Sequence, residues 1–152
     1  MPPLPDSHQG VFRYSRTVRP EEIDQLGHAS NLAYLQWAVE AAVAHSDSVG
    51  WTAQRYRALG AGFVVRRHLI EYLRPAGPGE NVEVWTWVTG FRGASSLRRF
   101  VIQPAGQEVV LAQGETLWAF MDFATGRPRR IPPEVQRAFP VVADPGQETV
   151  RR

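Results

Sequence analysis

Residues 31–45 carry a helical pattern with very little polar surface. Leu32, Leu35, Ala38, Val39, Ala42 and Val43 share one broad face. Tyr34, Trp37, Ala41 and Ala44 fill much of the remainder, and only Gln36 and Glu40 are clearly polar. A helix that is apolar nearly all round is buried on more than one side, so some other part of the chain must wrap it. The wrapping material comes next. From Gly62 the hydrophobic period changes to two, the alternation of half-buried strands. Strands are predicted at 63–73, 82–91, 95–103 and 108–123, with turn residues at 74–79, at Gly93 and at 104–106. The 108–123 strand has a small-residue side, Ala112, Gly114 and Thr116, against which a buried helix can press. An earlier strand, 11–18, stops at Pro20, because proline cannot join a central ladder. Shorter helices are predicted at 52–59, stopped by Gly60, and at 132–139, whose leading prolines suit a first turn. The order is β-α-(α)-β-β-β-β, with short turns that make the later strands antiparallel. This describes one α+β domain over residues 11–139, with 1–10 and 140–152 as flexible tails.

The central helix is entered through a polar loop, Asp24-Gln-Leu-Gly-His28. The first N–H groups of a helix have no intrahelical partners and carry the positive end of its dipole. A carbonyl oxygen placed there meets preorganised donors. Asp24 and His28 lie just upstream and are residue types that move protons. The same residues also suit a plain loop, with Ser30 or Asn31 capping the helix.

Composition removes several chemistries. There is no cysteine and no lysine, which excludes thiolate nucleophiles, cysteine-ligated zinc and lysine Schiff bases. Asp24 and His28 lack the neighbouring ligands that a metal site needs. The net charge is only +2, and the pairs Arg66-Arg67, Arg98-Arg99 and Arg129-Arg130 are scattered among acids. A nucleic-acid surface concentrates its charge. Paired arginines fit a small phosphorylated ligand or a solvated strand edge, and alternation puts the two members of each strand pair on opposite faces. No apolar run is long enough to span a membrane, and the first ten residues lack the charged and apolar regions of a signal peptide. A cytoplasmic protein without membrane or nucleic-acid partners is expected. His45 and His68 have no carboxylate in their local sequence and read as structural.

Four stretches resemble the hotdog-fold acyl-CoA thioesterases similar to 4-hydroxybenzoyl-CoA thioesterase. They are Asp24-x-x-Gly27-His28-x-x-Asn31-x-x-Tyr34-Leu35, Ile70-Glu71-Tyr72-Leu73-Arg74-Pro75-Ala76-x-Pro78-Gly79-Glu80, Arg92-Gly93-Ala94-Ser95-Ser96-Leu97, and 121–132 from Met121-Asp122-Phe123 to Ile131-Pro132. The resemblance implies an antiparallel five-stranded sheet curled around the central helix. It also implies homodimers, often homotetramers, with the site at the dimer interface and the 63–73 strand pairing across it.

The implied reaction is hydrolysis of an acyl-CoA or acyl carrier protein thioester, with no cofactor, coenzyme A being part of the substrate. Asp24 matches the catalytic carboxylate, as nucleophile or general base. The N–H of Asn31 matches the oxyanion donor, and His28 is a third candidate. Some relatives carry Asn two residues after the aspartate, where this chain has Leu26. For the coenzyme A phosphates and pantetheine the candidates are Arg66, Arg67, Arg98, Arg99, Arg129, Arg130, Ser95 and Ser96. For an acyl pocket they are Tyr34, Trp37, Phe63 and Trp85 or Trp87. The alternative is a hotdog protein that binds an acyl thioester or forms an assembly without turning it over.

Overall fold

The computed structural model describes residues 10–143. Its elements are β1 (Phe12–Thr17), a 3-10 turn (Pro20–Glu22), α1 (Asn31–Ser48), α2 (Ala53–Leu59), β2 (Ala61–Tyr72), β3 (Asn81–Arg92), β4 (Ser95–Pro104), β5 (Ala112–Asp122) and α3 (Pro133–Ala138). The strands form one sheet in the order β1-β3-β4-β5-β2, antiparallel at every pairing. With α1 on one face of five antiparallel strands, this is the expected hotdog architecture.

Alternation sets the inner face. Tyr14 on β1, Val82 and Val84 on β3, and Phe100 and Ile102 on β4 pack with Trp37, Ala38 and Ala41 of α1. Ala33, Ala38, Ala41 and Ala42 of α1 are buried, which lets the helix lie close to the sheet. A second apolar cluster lies toward the other end of α1. It joins Trp51, Val88, Phe120, Ile131, Val135 and Phe139.

Several expectations are corrected. Helix α1 runs on to Ser48 and is stopped by Gly50, at φ +91°, a conformation that costs glycine little. Strand β5 starts at Ala112 rather than at 108, because the Ala105 N–H bonds back to the Asn81 carbonyl and leaves 107–110 unpaired in the ladder. The helix is not covered all round. It packs chiefly across β1 and β3 and less on β2, leaving Leu32 75% and Val43 51% exposed. The small side of β5 faces the core that holds α1 and also packs tightly in the sheet: Ala112 joins the α1 cluster, and a Cβ on Gly114 would lie 2.0 Å from the Leu69 carbonyl oxygen of β2 and 2.9 Å from the Phe100 ring. A bulge between Val65 and Arg67 makes Arg66 an extra residue in β2, so simple alternation does not govern the Arg66-Arg67 pair. Past α3, Val142 is buried and donates its N–H to the Val88 carbonyl, so packing continues beyond residue 140. The rest of both expected tails lies outside the described residues.

Candidate active site

The loop before α1 is a small closed hairpin. Ile23 and Ala29 form an antiparallel bridge, and the Asp24 N–H donates to the His28 carbonyl at 2.8 Å. Gly27 turns the chain at φ +84°, where a side chain would be strained. Two further bonds fix the loop in place: Ala29 N–H to the Ala76 carbonyl and Ser30 N–H to the Glu22 carbonyl, both 2.8 Å. Ser30 is the N-cap, its hydroxyl accepting from the Ala33 N–H at 3.2 Å. The Asn31 and Leu32 N–H groups therefore stand ahead of the first satisfied donor.

Asp24 sits at the rim of this helix start. Its Oδ1 accepts from the Leu26 N–H at 2.9 Å, with the His28 N–H further away at 3.5 Å. Its Oδ2 has no partner among the described residues. Asp24, His28 and Asn31 are all exposed. The loop brings the Asp24 and His28 backbones together, but the His28 ring makes no hydrogen bond to the Asp24 carboxylate. Leu26, where some relatives have Asn, is 82% exposed, and only its backbone N–H, not its side chain, bonds to Asp24. Tyr72, at the far end of β2, donates its hydroxyl to the Asn31 carbonyl at 3.1 Å. The edge strand and the helix start are thus physically linked.

A buried ionic cluster that sequence reasoning missed holds the loop in register. Arg16, on the inner face of β1, reaches Glu22 at 2.5 Å and Glu40 at 2.6 Å with a side chain only 5% exposed. Its guanidinium lies over Trp37, and the Trp37 indole N–H donates to Glu22 at 3.1 Å. The Tyr14 hydroxyl donates to Glu40 at 3.0 Å. Burial alone would raise the Glu22 carboxyl, but the Arg19 N–H, the Trp37 indole and Arg16 outweigh it and hold it below its usual value. Two signals for this cluster were in the sequence. Arg16 shares its strand face with Phe12, Tyr14 and Val18, and Glu40 is one of the two clearly polar residues on α1.

The remaining candidates separate. Tyr34 is core, 2% exposed, with its hydroxyl on the Arg74 carbonyl and its ring edge-on to Trp37 and Tyr72. It braces the turn after β2 and does not line a cavity. Trp37 is likewise fully buried. Trp85 and Trp87 sit on the outer face of the sheet with Val101 and Val142, because their neighbours Val84, Thr86 and Val88 take the inner positions. Arg67 and Arg99 flank Glu115, at 3.7 and 3.5 Å, on that outer face. Arg66 and Arg130 are exposed, and Ser95 and Arg129 are half-buried. Ser96 and Arg98 point inward and are buried. Of the Arg98-Arg99 pair, each named as a candidate for the coenzyme A phosphates, Arg98 thus faces inward and Arg99 outward. Both line an apolar cavity of about 270 Å³ that includes Phe63 and lies beside the C-terminal half of α1.

Comparison with known proteins agrees with this architecture. The sequence model of the thioesterase-like superfamily matches residues 18–139. The acyl-CoA thioester hydrolase YbgC of Escherichia coli O157:H7 is 29% identical over 132 residues, 85% of this chain and 96% of the relative. A chloroplastic dodecanoyl-acyl-carrier-protein hydrolase of Umbellularia californica is 30% identical over 154 residues, 90% of this chain but 38% of the relative. A 1,4-dihydroxy-2-naphthoyl-CoA thioesterase from Synechocystis superposes with a TM-score of 0.79 at 21% identity, covering 86% of this chain and 96% of that one. A Thermus thermophilus protein solved without an assigned function gives 0.77 at 29% identity, covering 84% and 96%.

Proposed function

This chain belongs to the thioesterase-like superfamily, and from that premise we propose that it hydrolyses an acyl-CoA or acyl carrier protein thioester at the start of α1. The class of enzyme is a thioester hydrolase, as in the named relatives. The observation that supports Asp24 as the working group is its geometry: one carboxylate oxygen is tied to the loop, and the other has no partner among the described residues and lies near the open helix N–H groups.

In the proposed reaction the thioester carbonyl oxygen lies on the Asn31 N–H. Asp24 acts in one of two ways. As general base it takes a proton from water, whose oxygen adds to the carbonyl carbon. As nucleophile it adds directly, forming an anhydride that water then opens. In either route the oxyanion collapses, the C–S bond breaks, and the sulfur leaves as a thiolate that takes up a proton. His28 is proposed to supply that proton. No cofactor takes part. Loss of one oxyanion donor typically costs about 10²–10³ in rate, and loss of the carboxylate is expected to cost at least as much.

The working form is proposed to be a homodimer, assembled further into a tetramer, in the cytoplasm. Strand β2 is an edge, and Val64, Val65, Leu69, Tyr72 and Leu73 on it are exposed, as are nearby Leu26 and Leu32. Unpaired, apolar edges of this kind invite a second strand. Because Tyr72 touches Asn31, a partner on β2 would close the Asp24 site from the open side.

The test is thiol release from short, medium, long and aromatic acyl-CoAs by wild type and Asp24→Ala. Turnover that falls at least 100-fold in the variant, with an unchanged melting temperature, is expected. Equal turnover in both would remove Asp24 from the mechanism. Single turnover in H₂¹⁸O identifies the nucleophilic route when label enters the Asp24 carboxylate, which requires water to open the anhydride at Cγ of Asp24; a general base leaves that carboxylate unlabelled.

A further inference from the structure

Arg98 is the most anomalous charge in the molecule. It is 6% exposed and makes no ion pair among the described residues. Its Nη1 donates to His45 Nδ1 at 2.8 Å and to the Thr86 hydroxyl at 3.3 Å. Both partners are neutral: burial and then the Arg98 charge push His45 down to about 3. Arg98 itself, lowered to about 10 by burial, stays protonated at neutral pH. Its Nε and Nη2 have no partner among the described residues. A buried cation without a counterion is costly, and natural proteins place one where an anion completes it.

The surroundings define the anion. Arg98 and Ser96 lie in the wall of the cavity of about 270 Å³ between α1, α2 and the inner face of the sheet. The other walls are largely apolar, with Ala42, Phe63, Val88 and Phe91 among them. Val43 and Phe123, each about half exposed, flank the mouth. Asp47 and Arg57, also at the mouth and exposed, oppose each other in sign. At the roughly 30 Å³ that a water occupies in the liquid, this volume admits on the order of nine non-hydrogen atoms. A phosphate or a nucleotide would find one guanidinium and no further cations inside.

We propose that this cavity binds a carboxylate carried on an apolar body of medium length, its carboxyl group on Arg98 and Ser96 and its body along Phe63 and Phe91. The chemistry is that of a free acid of the kind a thioester hydrolase releases; about 21 Å of helix rise separates Asn31 from His45, and no residue of the 24–31 loop lines the cavity. Binding itself does not rest on the thioesterase reading.

The probe is octanoate, titrated calorimetrically into the full chain against 1-octanol. Octanoate is expected to bind wild type at least tenfold more tightly than octanol, and Arg98→Met is expected to abolish that preference while octanol binding stays. Equal affinity for acid and alcohol in wild type overturns the proposal, as does a preference that survives Arg98→Met. Ala42→Phe, which fills the wall without touching Arg98, provides an independent arm: it should abolish octanoate binding, and unchanged binding also overturns the proposal. The two readings fail separately: octanoate binding with no hydrolysis across the acyl-CoA panel leaves this site standing and overturns the thioesterase reading alone, and hydrolysis without a preference for octanoate over octanol does the reverse.

Discussion

Two arginines are buried against the same helix and are treated in opposite ways. Arg16 lies along the first half of α1 with two carboxylates, an aromatic face and a capped loop around it. Arg98 lies near the last turns with a neutral imidazole, a hydroxyl and the edge of a cavity. Both side chains are largely enclosed; they differ in electrostatic completeness. The difference separates a charge that holds the fold from a charge that the fold holds ready. It also explains why the catalytic candidates at the helix start can stand in solvent: their position is set from beneath by the Arg16 cluster, through the Glu22 carbonyl that accepts from the Ser30 N–H.

The largest effect expected from this contrast is at Arg16. Replacing it with methionine keeps volume but leaves Glu22 and Glu40 as like charges, with Glu22 largely buried and Glu40 partly so. Removing one partner of a buried pair typically costs about 3–5 kcal/mol, and urea denaturation of Arg16→Met is expected to fall in that range. A loss under about 1 kcal/mol would mean that the cluster is solvated and that the two arginines differ less than their contacts indicate.

The cluster also marks where the sequence could be read and where it could not. The strand order of alternation, the inner positions Val82, Val84, Thr86 and Val88, and the caps at Ser30 and Gly60 follow from local patterns, and these the structure reproduces. The position of α1 across the sheet does not follow, because it depends on which strands end up adjacent. For that reason Leu32 and Val43 were expected to be covered and are not. The candidate loop was legible through its spacing of Asp24, Gly27, His28 and Asn31. Arg98 and His45, 53 residues apart in sequence, meet only after β4 and α1 have packed. No carboxylate near His45 was found because its partner is an arginine. Tyr34 looked like a pocket aromatic because its hydroxyl partner, the Arg74 carbonyl, lies 40 residues away.

Acid titration should separate the two ends by pH window. His45 is neutral when folded down to about pH 3, whereas in the unfolded chain it takes a proton below about 6.5. Above 6.5 it contributes nothing to the pH dependence. Below it, the unfolded state binds a proton that the folded state refuses, so stability falls as pH falls, by at most about 1.4 kcal/mol per unit for this one group. Glu22 has the depressed carboxyl, so its contribution is present above the ordinary carboxylate value and is lost below it. His45→Gln, which keeps an acceptor for Arg98, is expected to flatten the slope between pH 6.5 and 4.5. His68, also lowered by burial, remains in both proteins and leaves a residual slope. An identical slope in wild type and variant would show that His45 is solvated when folded.

The smallest effect is expected where the charge is least complete. Arg98→Met removes a buried cation that has no counterion, which favours the folded state. It also leaves His45 Nδ1 and the Thr86 hydroxyl without that donor; an unsatisfied buried polar group costs about 1–3 kcal/mol, but the Thr86 hydroxyl keeps its own bond to the Arg99 carbonyl at 2.9 Å. The two changes oppose each other, and the net stability of Arg98→Met in urea is expected to lie within about 1 kcal/mol of wild type. This is the reverse of Arg16→Met, made with the same substitution at another largely enclosed arginine. If Arg98→Met instead lost several kcal/mol, as Arg16→Met is expected to, Arg98 would be a structural cation whose bonds to His45 and Thr86 suffice. If it is near neutral, its retention in a dry pocket points to a role in binding.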